Sequence, residues 1–150
     1  MEWNEGYNIG IDVIDNQHKQ ILDYINALEE IRSSGERSKI KEVLDDLIDY
    51  TQSHFTFEEN LLEQVNYQYL TSHRAIHDMF VKRLNEYRTK FENGTAVEND
   101  LYRLLSKWLI NHIQHDDQDY VDAVRDNMLH YLRVQEQKKG KGWFSRFFGS

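Results

Sequence analysis

The sequence predicts an all-α protein: an up-down-up-down antiparallel four-helix bundle, with an N-terminal arm before it and a short C-terminal helix after it. Three observations lead there. Proline is absent, glycine numbers only 7, and 29% of the 150 residues are charged, which together favour long uninterrupted helices over a turn-rich β architecture. Apolar residues recur at alternating spacings of three and four, the period of one helical face, in four separate segments. Helices of this kind joined by short loops bury those faces best against one another.

An irregular arm carrying Trp3 and Tyr7 comes first. The first helix is expected over about residues 12–33, with Ile11, Ile14, Ile21, Ile25 and Leu28 on its inner stripe and His18 filling the gap in their spacing. After the SSGER break, the second helix carries Ile40, Leu44, Leu47, Thr51, His54, Glu58, Leu61 and Val65 on one stripe, so a histidine and a glutamate share its inner face. The connection NYQYLTS leads to a third helix, where His73 and His77 precede Phe80, Leu84, Tyr87 and Phe91. That helix is expected to end at ENG, where Gly94 suits a left-handed C-terminal cap. The fourth helix carries Leu101, Leu105, Trp108 and His112. HIQHDDQDY is too polar for a plain core helix; beyond it Tyr120, Val124, Met128 and Tyr131 mark a fifth, shorter helix or a continuation. The bundle is assigned to residues 1–134 and a basic, aromatic tail to 135–150.

The formal charge of −8 and pI near 5.3 argue against nucleic-acid binding, which needs a concentrated basic face. With no cysteine in the chain, disulfides, thiolate zinc sites, iron–sulfur clusters and cysteine nucleophiles drop out, and any metal must be held by nitrogen and oxygen. The opening MEWNEGYNIG lacks the basic and apolar regions of a secretory leader, and no apolar run approaches a membrane span; a cytoplasmic location is expected.

Five histidines and one glutamate fall on inward stripes: His18, His54, Glu58, His73, His77 and His112. One histidine on an apolar face is commonly a satisfied core residue. Five on four facing helices are another matter, because burying them with a carboxylate and no partner would cost several kcal/mol, and metal coordination offsets that cost. So many imidazoles exceed the four ligands of a zinc site, which points to two metals, and carboxylates bridging in a helical bundle favour iron. No histidine has a glutamate three residues before it, so the site is not of the ferritin-like kind, which needs Glu-x-x-His.

The segments IGIDVIDNQH, HFTFEE, HRAIH and HIQHDD, in this order and with these internal spacings, resemble the hemerythrin family, in particular its single-domain bacterial members; the similarity spans about residues 3–131. The resemblance implies a dioxygen-binding centre of two iron ions with an oxo or hydroxo bridge. His73, His77 and His112 would be terminal ligands of one iron, His18 and His54 of the other, and Glu58 and Asp117 would bridge them. The iron with fewer protein ligands would keep a position open for dioxygen. Asp117 lies five residues beyond His112, about 140° round a regular helix, whereas Asp116 shares the face of His112. Regular geometry favours Asp116; the family pattern favours Asp117 and requires the fourth helix to bend or end near His115. Asp116 and Asp119 are then expected to be solvated, and His115 and His130 to take no part as ligands. Phe55, Trp108 and Leu109 are expected to line the oxygen pocket.

Three functional classes stand: an oxygen store, carrier or sensor; a di-iron redox enzyme acting as a ferroxidase or on peroxide or nitric oxide; and a module whose metal staples the fold. The first is preferred and the chain is not expected to be an enzyme, because no acid or base beyond the ligands stands out near the site. The tail KKGKGWFSRFFGS pairs basic with aromatic residues, and could meet a membrane surface or a protein partner. A monomer is expected.

Overall fold

The computed structural model describes residues 1–126. Met128, His130, Tyr131, the expected end of the bundle at residue 134 and the tail 135–150 lie outside the described residues. Among the described residues the chain is helical, with no strand. A short 3-10 turn at Glu5–Tyr7 precedes α1 (Asp12–Ile31), α2 (Arg37–Gln64), α3 (Leu70–Glu92) and α4 (Glu98–Asn111). The first helix thus stops two residues short of its expected end, and Leu70 to Ser72, expected in the connection, already belong to α3. No described helix is long and apolar enough to cross a membrane.

The backbones of α1 and α2, α2 and α3, and α1 and α4 approach most closely, and the wider gap between α3 and α4 is filled by large rings, with Phe80 stacked on Trp108 at 3.6 Å between centroids. One end of the bundle is purely apolar: Leu28, Ile40, Leu44, Leu84, Leu101 and Leu105 are buried there. Each such side chain contributes about 1.5–3 kcal/mol of transfer free energy. The antiparallel order makes the other end the meeting place of the first half of α1, the last half of α2, the first half of α3 and the C-terminus of α4. Every inward histidine of the sequence falls in one of those four half-helices.

The fourth helix does not end after Asn111. It widens into a π turn over His112–Asp117 and resumes as α-helix over 118–126, so the stripe through Tyr120 and Val124 continues the same helix. The arm is tied down by the buried carboxylate of Asp15, which accepts from the backbone N–H of Ile9 at 2.8 Å and of Gly10 at 3.1 Å. Arg125 closes over the outside of Gly10, donating to its carbonyl at 3.3 Å.

Both α2 and α3 end in the same left-handed cap. After α3, Gly94 has φ +93°, and the N–H of Thr95 reaches back to the carbonyl of Lys90 while that of Gly94 reaches Phe91, both at 3.0 Å. After α2, Asn66 occupies the equivalent place at φ +55°, with Tyr67 donating to Leu62 and Asn66 to Glu63. These bonds satisfy carbonyls that the helix itself leaves unpaired. No atom lies within 4 Å of where a Cβ on Gly94 would stand, so Gly94→Ala tests conformational strain alone. Chemical denaturation of Gly94→Ala should show a loss of about 1 kcal/mol, and Asn66→Gly should be neutral or stabilising. Equal stability of Gly94→Ala and the parent would contradict the cap.

Candidate metal centre

Seven ionisable side chains meet in the core at the upper end of the bundle, and none is more than 4% exposed: His18 from α1, His54 and Glu58 from α2, His73 and His77 from α3, and His112 and Asp117 from the π turn. The sequence places His54 and Glu58, and His73 and His77, four residues apart, one turn of an α-helix, so each pair shares a face. His112 and Asp117 are five apart. The π turn, whose hydrogen bonds run from i to i+5, brings those two onto one face as an α-helix would not. It also turns Asp116 outward. Of the two aspartates between which sequence reading divided, Asp117 is the one brought into the cluster.

The Nε2 atoms of the five imidazoles converge on the two carboxylates. Glu58 Oε1 lies 2.6 Å from His73 and 3.1 Å from His77, while Oε2 lies 3.5 Å from His54. Asp117 Oδ1 lies 3.0 Å from His112 and 3.4 Å from His73, and Oδ2 lies 3.0 Å from His18. Donor atoms of Glu58, His73, His77, His112 and Asp117 all fall within 4.8 Å of one another, and so do those of His18, His54 and Glu58. The residues thus form two groups that share Glu58, with Asp117 reaching from the larger toward His18.

Hydrogen bonding accounts for only part of this proximity: His73 Nε2 is hydrogen-bonded to Glu58 Oε1 at 2.6 Å. Among the described residues, His18 Nε2, His54 Nε2 and both Asp117 oxygens are buried without a hydrogen-bond partner, even though His18 and Asp117 stand 3.0 Å apart. His77 and His112 face each other nitrogen to nitrogen at 3.1 Å. Buried polar atoms left unpaired are costly. Lone pairs aimed at a common point rather than at one another are what a cation requires, and the nitrogen and oxygen donors suit a transition metal. The residues present therefore fit a metal.

Three rings are held by their other nitrogen. His54 Nδ1 contacts Gln17 Oε1 at 2.7 Å, His77 Nδ1 contacts Glu59 Oε2 at 3.0 Å, and His112 Nδ1 contacts Asp116 Oδ2 at 2.9 Å. With Nδ1 donating, Nε2 is left as a lone pair for a metal. Asp116, expected as a solvated turn residue, is therefore half-buried and orients His112. Gln17 and Glu59 were not foreseen, since each sits beside a ligand in sequence and points across to a different helix. Tyr120 was read only as part of an apolar stripe; it is fully buried and its O–H donates to Glu58 Oε2 at 3.0 Å. His115 is exposed, with Nδ1 on the carbonyl of Asn111. Phe55 stacks on His77 at 3.8 Å and Trp108 on His112 at 4.4 Å, while Leu109 is buried.

Burial should strip these rings of charge, and for His54 it does: desolvation, aided by neighbouring His18, lowers its pKa to about 3. Burial is outweighed at His73, where Asp117 and Glu58 hold the proton up to about pH 9, and at His112, where Asp117 and Asp116 hold it up to about pH 10. The carboxylates respond in kind. Burial opposes ionisation of both, yet His73 and His77 draw Glu58 below the usual range, and His112 draws Asp117 well below it.

Comparison with known proteins agrees with this geometry. Residues 9–124 match the family described as Hemerythrin HHE cation binding domain. The chain is 47% identical to a bacteriohemerythrin of Pseudomonas aeruginosa strain UCBPP-PA14 and 42% identical to one of Stenotrophomonas maltophilia strain R551-3, in both cases over 98% of this chain and 97% of the relative. A crystal structure of wild-type hemerythrin superposes with a TM-score of 0.79 at 34% identity, covering 83% of this chain and 97% of that one.

A metal binds only neutral imidazole, so loading the metal-free protein at pH 7 should expel the protons held by His73 and His112. A pH-stat should record about two protons released per chain from these rings, and affinity should fall as pH drops below about 10, where His112 takes up its proton, and more steeply below about 9, where His73 does. Proton-neutral loading would contradict the assignment. Asp117→Ala should fail to hold a full metal complement, whereas Asp116→Ala should bind it about 10-fold more weakly, as loss of an orienting partner does. A chelator-competition titration distinguishes the two, and the reverse order would contradict the π-turn geometry.

Proposed function

Because this chain belongs to the hemerythrin family, we propose that it binds dioxygen reversibly at a pair of iron ions, as an oxygen store, carrier or sensor. His73, His77 and His112 would hold one ion and His18 and His54 the other, with Glu58, Asp117 and a solvent-derived oxygen between them. Bound there, the pair supplies electrons to dioxygen and recovers them on release.

The observation that carries this reading is the unequal division of a buried site. Five donor groups surround one position and three the other, counting Glu58 in both, so the half around His18 and His54 is short of protein ligands and has capacity for an outside one. All seven side chains are buried, which keeps out bulk water and favours a small neutral ligand over a larger substrate. Phe55, with its ring 5.8 Å from that of His54, and Leu109 would line the approach. Trp108, stacked on His112 and bordering a surface groove between α3 and α4, would shield the other half. Gln17 keeps His54 in the tautomer that offers Nε2 inward.

Iron-loaded protein, reduced without air and then exposed to it, should develop a visible charge-transfer band that disappears on degassing and returns with oxygen. His54→Ala should lose that band, because His18 alone would then remain as the imidazole of the open half. Irreversible bleaching, or sustained consumption of a reductant with peroxide or nitric oxide, would favour the redox-enzyme reading instead.

A further inference from the structure

The two carboxylates of the centre differ in one respect that the ligand set alone does not disclose. Both Asp117 oxygens are free of hydrogen bonds, but Glu58 Oε2 accepts the O–H of Tyr120 at 3.0 Å. Oε2 is also the oxygen turned toward His54, at 3.5 Å, whereas Oε1 serves His73 and His77. Tyr120 is fully buried, with its ring 5.5 Å from that of His73 and 6.2 Å from that of Tyr67. Its place three residues after Asp117 follows from the same π turn.

We propose that Tyr120 is a positioning residue that makes the two halves of the centre unequal in metal affinity, by engaging the one Glu58 oxygen that faces the His18 and His54 half. The inference rests on the dinuclear reading above. A carboxylate oxygen shared with an O–H donor has one lone pair engaged and less electron density to give. The half already short of protein ligands therefore receives the weaker oxygen of Glu58, and the half around His73, His77 and His112 receives the stronger. In the metal-free form His73 on Oε1, at 2.6 Å, and Tyr120 on Oε2 satisfy both oxygens, so the difference arises when metal replaces the His73 proton and Tyr120 stays. The first ion therefore enters the three-imidazole half, and the second binds later and exchanges more readily.

Calorimetric titration of the metal-free full chain with Co²⁺, without oxygen, tests this. The parent should bind two ions in resolved steps, one tight and one weak. Tyr120→Phe keeps the ring and removes the donor, so its weak step should tighten about tenfold while its tight step stays within about twofold. Site-specific 3-fluorotyrosine at residue 120, a stronger donor in the same shape, should weaken the second step, and it serves if the phenylalanine variant does not fold. Weakening of the second step by Tyr120→Phe, or equal movement of both steps, would overturn the proposal and assign Tyr120 to packing alone. Two ions of equal affinity in the parent would overturn it while leaving the dinuclear reading intact. Binding of a single ion by the parent would overturn both.

Discussion

Desolvation of seven ionisable side chains in the core at one end of a helical bundle is the constraint on which the rest of this structure depends. Five imidazoles and two carboxylates lie within 4% of complete burial. Without metal, the cluster balances itself only in part: protons on His73 and His112 face Glu58 and Asp117, while His18, His54 and the Asp117 oxygens keep atoms that nothing satisfies. A protein does not sustain such a core for stability, since apolar residues of similar volume would pack it more favourably. Bound metal would supply the missing partners, and the fold reads as an apparatus for holding it.

Geometry at the helix level follows from that requirement. Four half-helices must deliver their ligands to one end, and only an antiparallel order with short loops does so while reserving the opposite end for an apolar core. The left-handed caps at Asn66 and Gly94 turn the chain without lengthening it. Asp15 and Arg125 fasten the arm across the ligand end, on either side of Gly10. The π turn is the local departure from regularity, and it serves two residues at once: Asp117 enters the cluster, and Tyr120, one turn later, reaches Glu58.

Much of this was legible in the sequence, for a definite reason. Periodicity reports which face of a helix is inward, and His18, His54, Glu58, His73, His77 and His112 all sat on apolar stripes where the structure places them. Gly94 announced its cap because few other residues adopt that backbone conformation. Periodicity does not report what a side chain meets on another helix. Gln17 and Glu59 have the spacing of solvent-facing residues, yet each turns its polar end to a ring nitrogen on another helix. Tyr120 passed as an apolar residue because its ring obeys the stripe and its hydroxyl partner is distant in sequence. Asp117 was placed by resemblance to the family and not by spacing, because a π turn has no compositional signature comparable to proline or glycine. Bending or termination near His115 was the expected device; the helix does not terminate there, and a π turn is what brings Asp117 in.

The central claim is that the core holds two metal ions in unequal halves that share Glu58 and Asp117. Anomalous diffraction at the iron edge, from crystals of the iron-loaded chain, tests it most directly. Two peaks should stand inside the bundle, one among His73, His77 and His112 and the other beside His18 and His54, with both carboxylates between them. A single peak in the core, or iron held only at the surface, would contradict the account.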